Sequence, residues 1–143
     1  MMVGVQCVFC HLLVTGDAQW IAQEPDAVAF LPLAGSTLAP GHALVVPRRH
    51  CVGVLDADAA TLAATMRLVQ RVGRAMTAAL NATGVVLLNA SGPHSGQSVP
   101  HLHIHVVPRW PNDPATMWPA EPSHHVLPGD VRRLLADAFA EQH

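Results

Sequence analysis

Hydrophobic and polar residues alternate most sharply between residues 101 and 107. Three histidines alternate there with three aliphatic residues, in the order His101, Leu102, His103, Ile104, His105 and Val106. Because successive side chains of a β-strand point to opposite faces, this alternation predicts a strand with aliphatic side chains in the core and a row of imidazoles on its other face. Neighbouring imidazoles would lie roughly 6.5–7 Å apart. The alternative, an exposed edge strand that happens to carry histidines, does not explain such regular alternation beside a Gly/Ser-rich loop.

The remaining pattern predicts four more strands and two helices. Apolar runs of strand length cover residues 20–22, 27–31, 43–47 and 85–89, the last of them as a buried strand. Apolar residues recur at helical spacing from Leu62 to Leu80. Asp56 and Asp58 are candidate N-caps of this helix, and Gly84 fits just past its end. A second stripe from Val131 to Phe139 predicts a terminal helix. Short turns between the strands favour an α+β fold with a helix packed on a mainly antiparallel sheet.

Length and composition indicate one domain and exclude several functions. The chain has 143 residues, half of them hydrophobic, and a formal net charge of −2, so we expect no nucleic-acid partner. No apolar run is long enough to span a bilayer, and residues 1–6 do not resemble a signal peptide, so we expect a cytoplasmic protein without membrane contact. All basic residues are arginines, which excludes a Schiff-base lysine. The prolines and tryptophans after residue 109 mark a tail over 111–143, expected to pack on a domain formed by 1–110.

A Cys-x-x-Cys pair predicts a metal site near the start of the chain. Cys7 and Cys10, joined by His50 and His101, make a plausible tetrahedral zinc set. The alternative is a buried, reduced cysteine pair without a metal. Four protein ligands leave no open coordination position, so the zinc would be structural. If His101 binds it, the metal lies at one end of the histidine row, several ångströms from His103.

Two further segments offer polar groups beside the row. In the Ser91–Pro100 loop, Gly96 allows a close backbone approach to a ligand, Gln97 offers an amide and Ser98 a hydroxyl. His42 follows the turn residues Pro40-Gly41. It either faces the row and orients it or is an ordinary turn residue.

These motifs together resemble the histidine-triad (HIT) superfamily. His101–Val107 resembles its signature of three histidines separated by apolar residues, and Gly96–Val99 resembles its Gly-Gln-Ser/Thr-Val lead-in. Ala39–His50 resembles its Pro-Gly-His strand, which a basic pair and a histidine follow. Cys7–Cys10 resembles the zinc-binding branch, and Asn89 stands where the family has an asparagine at a strand end.

The resemblance implies a fold and an assembly. Residues 1–110 would form a HIT-like domain, an α+β unit with a five-stranded antiparallel sheet, one long helix and a C-terminal helix. The family usually forms homodimers.

The resemblance also implies an activity, namely hydrolysis or nucleotidyl transfer at the α-phosphate of a nucleotide. Substrates would be phosphoramidates, dinucleoside polyphosphates or related conjugates. His103 would form a nucleotidyl-histidine intermediate, His105 would contact the phosphate and assist the leaving group, and His42 would support the site. The implied substrate-binding residues are Asn89, Gly96, Gln97 and Ser98. The implied zinc ligands are Cys7, Cys10, His50 and His101.

One departure from the family pattern keeps other functions open. After Phe30, family hydrolases commonly carry an acidic residue that grips the ribose, whereas this chain continues Leu31-Pro32-Leu33. A non-catalytic nucleotide-binding module is therefore a second hypothesis. A third is a metallohydrolase whose histidines bind a catalytic metal, although no Asp or Glu lies near the row.

Overall fold

A five-stranded antiparallel sheet organises the protein. The computed structural model describes residues 7–142. Its elements are α1 (Val8–Thr15), β1 (Trp20–Gln23), β2 (Ala27–Phe30), a 3₁₀ turn (Ala34–Ser36), β3 (Ala43–Pro47), α2 (Ala59–Leu80), β4 (Gly84–Leu88), β5 (Ile104–Arg109) and α3 (Val131–Ala140). The strand order is β1-β2-β3-β5-β4, and every neighbouring pair is antiparallel. This confirms the predicted α+β class, the long helix and the terminal helix. Of the helices between residues 7 and 142, none is long and apolar enough to cross a bilayer.

The adjacent interior strands β2 and β3 bury side chains on both faces of the sheet. On one face, Ala29 and Val45 pack against Leu68 of α2. On the other, Phe30 and Leu44 pack under α1. Alternate side chains of each strand therefore pack into two different hydrophobic cores, one on each face of the sheet. This explains why the sequences of both strands are continuously apolar.

The long helix α2 begins and ends as predicted, but the residue that caps its C-terminus is not the predicted one. The Asp58 side chain accepts a hydrogen bond of 2.7 Å from the Thr61 N–H, as an N-cap does. At the other end the cap is Asn81, with φ 57°, and Gly84 is the first residue of β4. The prediction of a Gly84 cap is wrong because asparagine also tolerates the left-handed conformation.

The predicted histidine strand is only partly a strand. β5 begins at Ile104, because the preceding backbone N–H groups bond elsewhere: that of His101 to the Val99 carbonyl and that of Leu102 to the Cys51 carbonyl, both at 2.8 Å. The aliphatic half of the prediction holds, since Leu102, Ile104 and Val106 are all buried.

Two predicted apolar elements are more exposed than their sequences suggest. β4 lies at the sheet edge, and its Val85 and Leu87 are 40% and 44% exposed. The prediction of a buried strand is therefore wrong for the single chain, because β4 has a strand neighbour on one side only. Every residue of α3 is exposed, and the packing of residues 111–143 on the domain stays a prediction. Residues 1–6, for which no signal peptide was predicted, lie outside the described residues.

Truncating Leu68 should destabilise the protein, because its side chain is 1% exposed between α2 and the sheet. We expect Leu68→Ala to lower the free energy of unfolding by about 2–5 kcal/mol in urea titrations. The matched control is Leu135→Ala, the same change in α3 at a side chain that is 66% exposed, which should cost less than about 1 kcal/mol. Equal losses in the two variants would contradict this location of the core.

Candidate active site and adjoining metal-ligand cluster

A cavity of about 670 Å³ opens between α1, the segment after β2 and the start of β5. His103 and His105 lie on one of its sides together with Ser98. Phe9 and Phe30 contribute aromatic walls. The cavity therefore combines nitrogen and hydroxyl groups at one end with an apolar surface elsewhere, which is typical of small-molecule sites.

The hydrogen bonding of His103 leaves one ring nitrogen available for chemistry. Its Nδ1 lies 2.8 Å from the His101 carbonyl oxygen. A carbonyl only accepts, so Nδ1 carries the proton and donates, and Nε2 keeps its lone pair. The Asn89 amide donates to the carbonyl of His103 itself at 2.9 Å, and the Phe9 ring packs edge-on at 5.2 Å. In the neutral imidazole of His103, the nucleophilic lone pair is therefore on Nε2.

His42 and His105 have the opposite tautomer from His103, and a backbone N–H group determines it. The Leu38 N–H donates to His42 Nδ1 at 3.0 Å, so the proton of His42 is on Nε2. That Nε2–H donates in turn to His105 Nδ1 at 2.9 Å, which leaves the His105 proton on Nε2. His42 therefore faces the row rather than being an ordinary turn residue. His105 presents an N–H donor beside the lone pair of His103.

Burial keeps both members of this pair neutral. It lowers the pKa of His42 below its ordinary value. Burial, reinforced by the neighbouring His103 and His42, lowers the pKa of His105 to about 4. The neutral forms are the ones that the hydrogen-bond chain requires, since a doubly protonated His105 would have no lone pair for the His42 donor.

The Ser91–Pro100 loop uses one predicted ligand-binding side chain for its own structure. Gln97 Oε1 accepts from the Gly92 N–H at 2.9 Å, and its Nε2 donates to the carbonyls of Val52 and Val99 at 2.6 and 2.9 Å. Its amide is therefore engaged by backbone. Ser98, by contrast, lines the cavity. Gly96 has φ 96°, a conformation that favours glycine.

Asn89 belongs to a second bracing network. Its Oδ1 accepts from Ser91 Oγ at 2.8 Å, and Ser91 Oγ accepts from the Val54 N–H at 3.0 Å. A Cβ at Gly53 would lie 2.5 Å from Ser91 Oγ, so glycine is needed for this approach. The network ends on the His103 carbonyl, and Asn89 thereby positions the backbone of that residue.

Four ligand groups converge next to the cavity. One ligand atom from each of Cys7, Cys10, His50 and His101 lies within 4.8 Å of the others. Nδ1 of His101 is 3.4 and 3.5 Å from the two sulfurs and 3.2 Å from His50 Nδ1. The edges of a zinc tetrahedron with such ligands are about 3.3–3.8 Å long. The residues present therefore fit a tetrahedral metal ion.

The protonation of the cluster also suits a cation. His101 Nε2 donates to the Pro47 carbonyl at 2.8 Å, which directs the Nδ1 lone pair toward the sulfurs. Burial lowers the pKa of His101, so its neutral, ligating form is favoured. Burial and the neighbouring Cys7 raise the pKa of Cys10 to about 11. A thiolate at Cys10 therefore needs the compensating positive charge that a metal supplies.

Comparison with known proteins decides the family. A family model, the HIT domain, matches residues 15–112. The chain belongs to the HIT family. A HIT-like protein of Saccharolobus solfataricus is 37% identical over 112 residues, or 78% of this chain and 79% of that protein. An adenosine 5'-monophosphoramidase of Schizosaccharomyces pombe is 29% identical over 132 residues, or 91% and 93% of the two chains. The structure of a zinc-bound histidine triad protein from Mycobacterium smegmatis is 31% identical, with a TM-score of 0.72 and 96% of each chain covered.

The structure places the predicted catalytic histidines and the predicted zinc ligands in neighbouring sites, and it adds residues that were not predicted from the sequence. Helix α1 was not predicted, although Phe9, Leu12 and Leu13 have helical spacing and Gly16 follows as its C-cap. Leu38 was missed because it acts only through its backbone N–H. No side-chain pattern signals such a donor.

The tautomers are directly testable. In long-range ¹H–¹⁵N NMR spectra at neutral pH, we expect the proton on Nδ1 in His103 and on Nε2 in both His42 and His105. In His42→Ala, His105 should become a mixture of both tautomers because its hydrogen-bond donor is lost, whereas the tautomer of His103 should not change. The control is His94→Ala, a change in an exposed loop residue, which should alter none of the three. A proton on Nδ1 of His105 in the unmodified protein would contradict the relay.

The same spectra give a pH prediction. The pKa of His105, about 4, lies below its ordinary value of 6.5, so the ring should stay neutral as the pH falls to about 4. Between those pH values the unfolded chain binds a proton that the folded chain does not, so His105 should make unfolding easier as the pH falls. A His105 resonance that titrates near 6.5 would contradict the burial effect.

Proposed function

We propose that this HIT protein is a nucleotide hydrolase or nucleotidyl transferase that acts at an α-phosphate through His103. The observation that carries the proposal is the pair of adjacent groups at the cavity, the His103 Nε2 lone pair and the His105 Nε2–H. The proposed substrates are phosphoramidates, dinucleoside polyphosphates or related conjugates, and similarity to an adenosine 5'-monophosphoramidase supports the first of these classes.

The geometry supports two displacements at phosphorus. In the first, His103 Nε2 forms a bond to the α-phosphorus, and the leaving group departs with the electron pair of its own bond to phosphorus and takes a proton from water. In the second, water attacks phosphorus, the electron pair of the N–P bond returns to Nε2, and a proton is released to solvent. The product is a nucleoside monophosphate, or a transfer product when another acceptor replaces water.

The surrounding groups stabilise the charges of these steps. Throughout both steps the His103 Nδ1–H stays bonded to the His101 carbonyl, which stabilises the positive ring of the intermediate. The His105 Nε2–H and the Ser98 hydroxyl are donors for the phosphate oxygens. We assign Gly96 to the loop backbone that admits the phosphate, and Gln97 and Asn89 to positioning the loop and His103.

Loss of His103 should abolish turnover. With an adenosine 5'-phosphoramidate, a rapidly quenched reaction should show the chain mass increased by one adenylyl group on His103 by mass spectrometry. His103→Ala should lose at least about a thousandfold in kcat/KM and form no adduct, because the nucleophile is gone. The control His94→Ala should retain both. An active His103→Ala variant would contradict the mechanism.

The alternatives predict different results in the same assays. A non-catalytic nucleotide-binding module would bind a nucleoside monophosphate in calorimetry and show no turnover. A metallohydrolase would lose activity when chelated while still folded, and it would form no adduct.

We propose that Cys7, Cys10, His50 and His101 hold a structural zinc ion. The spacing and protonation of the cluster support this, as does similarity to a zinc-bound HIT protein. The bound metal would tie the start of α1 to the segments after β3 and before β5. Its thiols must be reduced, which supports the predicted cytoplasmic location.

Zinc removal should destabilise the protein. We expect one zinc per chain by elemental analysis, and a chelator should lower the melting temperature by at least about 5 °C. Cys7→Ser should lose the metal and melt at a similarly reduced temperature. The control Cys51→Ser changes a buried cysteine outside the cluster and should keep the zinc. Metal retention by Cys7→Ser would contradict the ligand set.

We propose that a second copy of the chain covers β4 and the adjoining face of α2. A surface cavity of about 640 Å³ lies there, lined by Met66, Val85 and Leu87 among other residues. Exposed apolar residues on an unpaired strand edge favour association with another chain.

The dimer can be tested by light scattering. The unmodified protein should have twice the 15.2 kDa mass of one chain. Leu87→Lys should give monomer because it places a charge in the interface. The control Val14→Lys, at an exposed position of α1, should stay dimeric. A monomeric unmodified protein would contradict the proposal.

A further inference from the structure

The wall of the cavity away from the histidines consists of two antiparallel segments. Trp20 of β1 pairs with Phe30 of β2, and the Leu31 N–H donates to the Gln19 carbonyl at 3.1 Å. The antiparallel arrangement therefore continues past the ends of both strands. It carries Asp17 alongside the segment that follows Phe30, and residues of both segments line the cavity.

The two segments differ in what they offer a ligand. The segment after Phe30 presents Leu31, Pro32 and Leu33, whose side chains neither donate nor accept hydrogen bonds. Asp17, on the other segment, is the one carboxylate among the cavity-lining residues of the described chain. Within residues 7–142, its backbone N–H bonds to Thr15 Oγ1, and its carboxylate makes no hydrogen bond or ion pair.

We propose that Asp17 determines which nucleoside the cavity accepts, by receiving a hydrogen bond from a donor group on the nucleoside. The inference rests on the proposed function, because it assumes that the phosphate lies at His103 and Ser98. The nucleoside must then extend along the rest of the cavity. Its donor groups are the ribose hydroxyls and the exocyclic amine of the base, and an ionised carboxylate is the strongest acceptor in the lining for either.

A substrate series with a constant leaving group tests this role. We would measure kcat and KM for the 5'-phosphoramidates of adenosine, 2'-deoxyadenosine and inosine. The second lacks a ribose hydroxyl and the third lacks the exocyclic amine, so the two arms distinguish the donors. The unmodified protein should discriminate against one of them by roughly tenfold or more in kcat/KM.

The matched variants are Asp17→Asn and Asp26→Asn. Asp17→Asn should raise KM for the adenosine compound roughly tenfold, leave kcat unchanged and remove the discrimination. Asp26, an exposed acid in the β1–β2 turn, lies outside the cavity lining, and its variant should behave like the unmodified protein. The sign of the effect is informative, because losing a negative charge near an anionic substrate would by itself tighten binding. Weaker binding by Asp17→Asn therefore reports a lost hydrogen bond.

Failure of this role and failure of the proposed function give different results. If the unmodified protein turns over all three compounds and Asp17→Asn has the same KM and the same preference, the role of Asp17 is overturned while the function stands. If the unmodified protein neither turns over adenosine phosphoramidate nor forms an adduct at His103, both are overturned. Calorimetry with adenosine monophosphate gives a readout free of chemistry, and Asp17→Asn should bind roughly tenfold more weakly.

Discussion

One residue, His101, connects the metal-ligand cluster with the candidate nucleophile. Its ring lies among the ligand groups of Cys7, Cys10 and His50, and its Nε2–H is bonded to the Pro47 carbonyl. Its own carbonyl accepts the Nδ1–H of His103. The side chain of His101 is therefore held by the cluster while its backbone determines the tautomer of the next histidine but one. Displacing this residue would change both sites together.

Helix α1 adds a second connection between the same two sites. Cys7 caps the helix and Cys10 lies in its first turn, so the cluster includes the start of the helix. Phe9 stands between them and packs edge-on against both His101 and His103, with ring centroids 5.9 and 5.2 Å apart. The same phenylalanine forms part of the cavity wall. A stable cluster would thus hold an apolar wall of the cavity in place, as supporting residues do in preorganised sites.

Local sequence signals predicted the helices and strands well, whereas features that depend on distant parts of the chain were missed. The sheet, the long helix and its Asp58 cap followed from apolar spacing and capping chemistry, because those signals are local. The exposure of β4 did not follow, since an apolar run reads the same in a central strand and at an edge. The irregular backbone over 101–103 was also missed, because the Leu102 N–H bonds to the carbonyl of Cys51, a residue far away in the sequence.

The sequence alone identified the chemistry by residue type and order: alternating histidines, a cysteine pair, a glycine-containing loop and a Pro-Gly-His turn. Such patterns can be recognised in a sequence because side-chain identity and the period of a strand or helix are local properties of the chain. Tertiary structure alone decided the proton positions on the histidines, and it decided which polar side chains face the cavity and which support the loop. The Leu38 N–H sets the tautomers of His42 and His105, backbone groups engage Gln97, and strand pairing brings Asp17 to the cavity wall. These outcomes depend on which backbone donors and acceptors lie close together in the folded chain, and the type of a single residue does not determine that.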